Sequence, residues 1–174
     1  LSLHWRLTEA PSMDLCQDLR NLSLVLLTHA HKDHLDFDLL RALKGLPIQW
    51  IIPEFLAPVI LNKVGLSPDN IIIPLPHNPI ELGDLRITPF YSQHLAKDQN
   101  GNPTGVEEMG YLVEHGRKRW LFPGDTRVYD ETLFPEFGRI DSVFAHLWLG
   151  RASALLDPRL YVNAFCHFYA SFHR

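Results

Sequence analysis

Hydrophobic positions fall in short runs along this chain, and the polar residues between them mark where each run turns. Residues 22–28, Leu-Ser-Leu-Val-Leu-Leu-Thr, are an apolar run that stops at a histidine-rich loop, which predicts a buried strand. Over 36–46, Phe37, Leu40 and Leu43 recur at helical spacing behind Asp36, a side chain suited to an N-cap. Gln49 to Pro53 predicts a strand, and Phe55 to Val64 a second helix closed by Gly65. Ile71-Ile72-Ile73 predicts a further strand, bounded by Pro74 and Pro76. Leu85 to Tyr91, Gly110 to Glu114 and Arg119 to Phe122 come next as strands, the last two joined by a tight turn at His115-Gly116. Asp141 to Ala145 predicts one more strand, and Pro158 to Phe172 a closing helix. Asp98-Gln99-Asn100-Gly101-Asn102-Pro103 is polar and reads as an exposed loop. Strands and helices alternate early and hairpins dominate later, which argues for a layered α/β architecture.

Composition narrows the class. With 174 residues and 20.0 kDa, residues 1–174 are read as one domain, and 46% hydrophobic against 21% charged residues excludes disorder and coiled coil. No apolar run reaches the roughly 20 residues that a membrane-spanning helix needs. Sixteen Lys and Arg against twenty Asp and Glu give a net charge of −4, so there is no general attraction for nucleic acid or anionic lipid. The basic cluster Arg117-Lys118-Arg119 is read as part of a turn. Cys16 and Cys166 cannot make a disulfide framework and lack CxxC spacing, so a reduced, cytoplasmic setting is expected. The chain opens at Leu1 without a signal pattern and stops at Arg174 in a helical segment, which reads as a piece of a longer or trimmed protein.

The chemistry concentrates in Thr28-His29-Ala30-His31-Lys32-Asp33-His34-Leu35-Asp36. On an extended backbone His29, His31 and Asp33 point one way while Ala30 and Lys32 point the other. A bend at Asp33-His34 then lets His34 swing to the same side. Imidazole nitrogen and carboxylate oxygen suit zinc, iron or manganese. Histidines two apart cannot share a helix face, so the pattern is not a helical zinc motif. A metal-free surface cluster is the plain alternative, and the strand before the motif argues against it. Two later segments fit the same site: the strand from Leu85 delivers His94, and Trp120-Leu121-Phe122-Pro123-Gly124-Asp125-Thr126 delivers a carboxylate. Each alone is weak, since Gly-Asp is more often a turn.

In these residues the chain resembles the metallo-β-lactamase superfamily. His29, His31, Asp33 and His34 match its His-x-His-x-Asp-His signature in full, His94 matches its later histidine, and Asp125 its Gly-Asp-Thr aspartate. The wording is most similar to the branch of ascorbate-phosphate lactonase-like and N-acylphosphatidylethanolamine phospholipase-like hydrolases. The resemblance implies an αββα sandwich, truncated here at both ends. It also implies two divalent ions, most readily zinc, with manganese or iron as options. One ion would be held by His29, His31 and His94, the other by Asp33 and His34, with Asp125 bridging. The implied reaction uses metal-bound hydroxide on a phosphodiester, ester or lactone, with Asp33 as ligand and proton shuttle. Asp36 is expected to support a ligand imidazole, to cap the helix, or both.

The family's closing strand-borne histidine has no clear match. His146 ends a strand and could approach the site, but an ordinary role is favoured for it, and His167 reads as a packed or surface helix residue; if the closing ligand is present after all, His146 and then His167 are the first to test for it. His4, His77, His115 and His173 read as ordinary surface residues. Two alternatives stay open: a mono-iron enzyme resembling persulfide dioxygenases, and a binding or structural module with a lapsed metal site. The expected partner is a small-molecule substrate. Without an opening hairpin one sheet would carry an unpaired edge strand, so a homo-oligomer is a further expectation.

Overall fold

The structure is a computed structural model and describes residue 17 and residues 19–97, 100–147 and 157–172. His4, Cys16 and His173 lie outside the described residues. A first sheet holds β1 (Leu24–Leu26), β2 (Gln49–Ile51) and β3 (Ile71–Ile72), all parallel and in that order. Parallel neighbours need crossovers, and the helices α1 (Phe37–Leu43) and α2 (Ala57–Val64) supply them. Asp36 caps α1 as expected, its carboxylate accepting from the N–H groups of Asp38 and Leu39 at 2.8 and 3.1 Å. At the end of α2, Gly65 takes the left-handed conformation, with φ +71°, that lets its N–H bond back to the Leu61 carbonyl.

The second sheet is built from β4 (Ile80–Leu82), β5 (Leu85–Tyr91), β8 (Met109–His115), β9 (Lys118–Phe122) and β10 (Ser142–Val143). Across the sheet their order is β10-β9-β8-β5-β4. A two-stranded ribbon of β6 (Ala96–Lys97) and β7 (Pro103–Thr104) flanks the polar segment read from sequence as a loop. Neither the ribbon nor β4 is predicted from the sequence: two- and three-residue strands are too short for alternation to register. The closing helix α3 runs from Pro158 to Ser171, capped by Asp157.

Period-two alternation sorts the apolar side chains into three layers of core. On β2, Trp50 joins Leu40, Leu43, Ile48, Ile52, Leu56 and Ile60 beneath α1 and α2. Ile51, pointing the other way, meets Ile87, Met109 and Tyr111 between the two sheets. On the far face of the second sheet, Phe90, Leu112 and Leu121 pack with Phe134, Phe137 and the α3 residues Phe168 and Tyr169, and with Phe172 just beyond them. Helices, sheet, sheet and helix therefore form an α/β four-layer αββα sandwich, the architecture that the resemblance implies. Among the described residues no helix is long and apolar enough to cross a membrane.

Candidate metal centre

Strand direction determines where the histidines and carboxylates meet. β5 and β9 both run antiparallel to β8, and β10 runs parallel to β9, so β5, β9 and β10 end at one edge of the sheet. Just past those ends lie His94, Asp125 and His146. The His29–His34 loop comes after β1 in the facing sheet, and the Met109 N–H donates to the Thr28 carbonyl at 3.1 Å, tying that loop to the same edge. Buried hydroxyls tighten the assembly. Ser92 Oγ donates to the Pro123 carbonyl at 2.5 Å, and Thr126 Oγ1 donates to the same oxygen at 3.1 Å. At Gly105, φ is +88° and a Cβ would fall 2.2 Å from the His94 carbonyl oxygen, so only glycine lets the ribbon close against His94.

His29, His31, His94 and Asp125 each place one donor atom within 4.8 Å of all the others. His31 Nδ1 lies 3.1 Å from both His29 Nε2 and His94 Nε2. Two nitrogens sharing one tetrahedral zinc ion at about 2.0–2.1 Å would stand about 3.3 Å apart, close to that spacing. The His29–His31 and His31–His94 ring planes cross at 86° and 77°, as imidazoles converging on one point do. Asp125 Oδ2 is 3.8 Å from His29 Nε2, while Oδ1 is 3.3 Å from His34 Nε2 and 2.5 Å from His146 Nδ1. His34, Asp125 and His146 thus form a second convergent set, with Asp125 common to both.

Five of the six metal residues read from the sequence are brought together here: His29, His31, His34, His94 and Asp125. Asp33 is not in either set. Its carboxylate is 59% exposed and 3.9 Å from His34 Nε2, at the mouth of the site. His146, for which the sequence favours an ordinary role, instead contacts Asp125 directly. The one available signal, a histidine just after a strand, is weak because β10 is two residues long. His167 is exposed on α3. Glu108 has no motif to mark it, yet it is buried against the His29 ring at 2.6 Å.

Electrostatics suit a cation. Burial, and then the neighbouring His29, lower the His31 pKa, and burial pushes His94 down to about 4. Both rings are therefore neutral ligands at neutral pH. For Asp125 burial works toward a higher pKa. The His146 hydrogen bond and the charges of His34, His146 and His29 outweigh it, holding the carboxyl below its ordinary value. Imidazole nitrogens beside an ionised carboxylate are a fitting donor set for a divalent ion.

Comparison with known proteins bears on the family and the fold. The family model described as Beta-lactamase superfamily domain matches residues 4–160. Among solved structures, the chain is similar to CmlA, a diiron β-hydroxylase from Streptomyces venezuelae, with 18% identity and a TM-score of 0.60 over 82% of this chain and 30% of that one. Zn(2+)-bound PqqB from Methylobacterium extorquens shares 26% identity, with a TM-score of 0.54 over 70% of this chain and 44% of that one. The metallo-β-lactamase fold protein YhfI from Bacillus subtilis shares 18%, with a TM-score of 0.54 over 77% and 54% of the two chains. The chain thus spans between 30% and 54% of the length of these three structures. No curated protein matches by sequence.

Proposed function

This chain belongs to the β-lactamase superfamily, and from that premise we propose that it is a metal-dependent hydrolase of a phosphodiester, ester or lactone bond in a small molecule. The observation that carries the reading is the convergence of His29, His31, His94 and Asp125. They would hold a first ion, and His34, His146 and Asp125 a second. The presence of zinc in PqqB, at 26% identity, supports zinc as the ion. A dication in such a site supplies Lewis acidity, polarising an ester or phosphoryl oxygen and acidifying water toward neutrality.

The chain's own residues account for the rest. Three of the four residues of the first set, His29, His94 and Asp125, are buried. Asp125 presents one carboxylate oxygen to each set and so sets the spacing between them. Asp33 stands where solvent meets the site, and its carboxylate carries a proton between the reacting group and bulk water by way of the His34 side. The test is a zinc titration of the purified chain, then turnover of a chromogenic phosphodiester and a lactone. Two equivalents bound and hydrolysis of at least one substrate are expected, with turnover falling by about 10²–10⁴-fold in Asp33→Ala. A chain that binds no ion is a binding module with a lapsed site, and unchanged turnover in metal-replete Asp33→Ala removes the role given to Asp33.

A further inference from the structure

Glu108 is 2% exposed, and a buried carboxylate is costly unless its oxygens are matched by donors. Here they are. Oε1 lies 2.6 Å from His29 Nδ1, and the Asp125 backbone N–H donates to Oε1 and Oε2 at 3.0 and 2.9 Å. The main chain at this point is tied just as closely. The Glu108 carbonyl accepts from the Ser92 N–H at 3.0 Å, two residues before His94, and the next N–H, of Met109, reaches Thr28 beside His29. β8 begins at the edge where β5 and β9 end, so the residue before it contacts or adjoins all three segments that supply the first donor set.

A second observation concerns Gly124. With φ +69°, it is left-handed, and a Cβ there would fall 2.3–2.5 Å from three carboxylate atoms of Glu108. The glycine before Asp125 therefore leaves the space that this carboxylate fills. Neither oxygen of Glu108 belongs to a donor set among the described residues, so it acts through its neighbours.

We propose that Glu108 is the positioning residue of the metal centre: it holds His29 in the Nδ1–H tautomer, turns Nε2 toward the ion, and strengthens that nitrogen as a donor. Thr28 Oγ1, 3.1 Å from the same Nδ1, is an auxiliary partner. A carboxylate behind a ligand imidazole fixes its orientation and raises its basicity. The proposal rests on the metal-dependent reading of the site. It is tested on the whole chain by cobalt(II) titration with visible spectra, for the wild type and Glu108→Gln, and by nitrogen-15 NMR of the wild-type imidazoles without metal. Glu108→Gln keeps the shape but loses the charge, and should bind cobalt about 10- to 100-fold more weakly, with shifted visible bands. His29 in the wild type should carry its proton on Nδ1. If Glu108→Gln only melts earlier, with wild-type affinity and bands, the residue merely supports the turn and the proposal is overturned. Should that variant not fold, the wild-type NMR decides: an Nε2–H tautomer overturns the proposal and an Nδ1–H tautomer supports it. A wild type that takes up no cobalt overturns the metal reading itself, whereas equal uptake by wild type and Glu108→Gln overturns the positioning role alone.

Discussion

The two halves of the donor cluster are built from the same chemistry and differ in their surroundings. His29 and His94 are fully buried, and His31 is packed edge-on against both. Behind them stand Glu108, Thr28 and the close approach of Gly105. The other half is open: the side chains of His34 and His146 are 30% and 39% exposed, and Asp33 more so. A buried donor has already lost its hydration and rotamer freedom in folding, so an ion arriving there meets a formed site. An exposed donor loses both when the ion binds. The two donor sets should therefore load unequally, the buried one first.

The widest effect comes from breaking the buried half. His94→Ala removes one of three imidazoles, and zinc affinity at the first position should fall by about 100-fold or more, measured by competition against a chromophoric chelator. A loss below about tenfold would mean that His94 is not a donor. In the open half, His146→Ala should weaken only the second equivalent, by about 10- to 100-fold, leaving the first within a few-fold in the same titration. Equal weakening of both equivalents would erase the contrast between the halves. The smallest effect belongs to Asp33→Ala, which should leave both equivalents within about tenfold because its carboxylate lies outside both donor sets. If this substitution instead removes the second ion, Asp33 is a ligand that swings inward on binding, and the open half is more adaptable than its resting geometry.

How much of this was legible depended on how local each signal is. The His29–His34 loop declares itself within six positions, and the apolar runs that carry β1, β5 and β9 are long enough to point to the polar residues at their ends. Asp36 and Gly65 cap their helices as residues of those types do anywhere. His146 is only half legible, a residue that could approach the site but for which an ordinary role is favoured, because its strand is two residues long and its partner Asp125 is distant in sequence. Glu108 is harder still. In Val106-Glu107-Glu108-Met109 nothing distinguishes the buried acid from its neighbour, and only the antiparallel course of β8 brings residue 108 to the edge where the ligands converge. Gly124 shows the same limit. Its need for a positive φ can be guessed from a turn, but the carboxylate that would meet its Cβ comes from a different part of the chain.

The division of the Asp125 carboxylate, one oxygen toward His29 and the other toward His34 and His146, would link two ions thermodynamically if both donor sets were filled. Charge drawn toward one oxygen is charge withdrawn from the other, and two dications placed on either side also repel. Whatever factor occupancy of the buried position imposes on affinity at the open one, occupancy of the open one must impose in return. The open set would then be a gauge of its buried neighbour: exchanging an inner ion for a different metal would change how tightly an outer one is held, although no outer ligand had been altered.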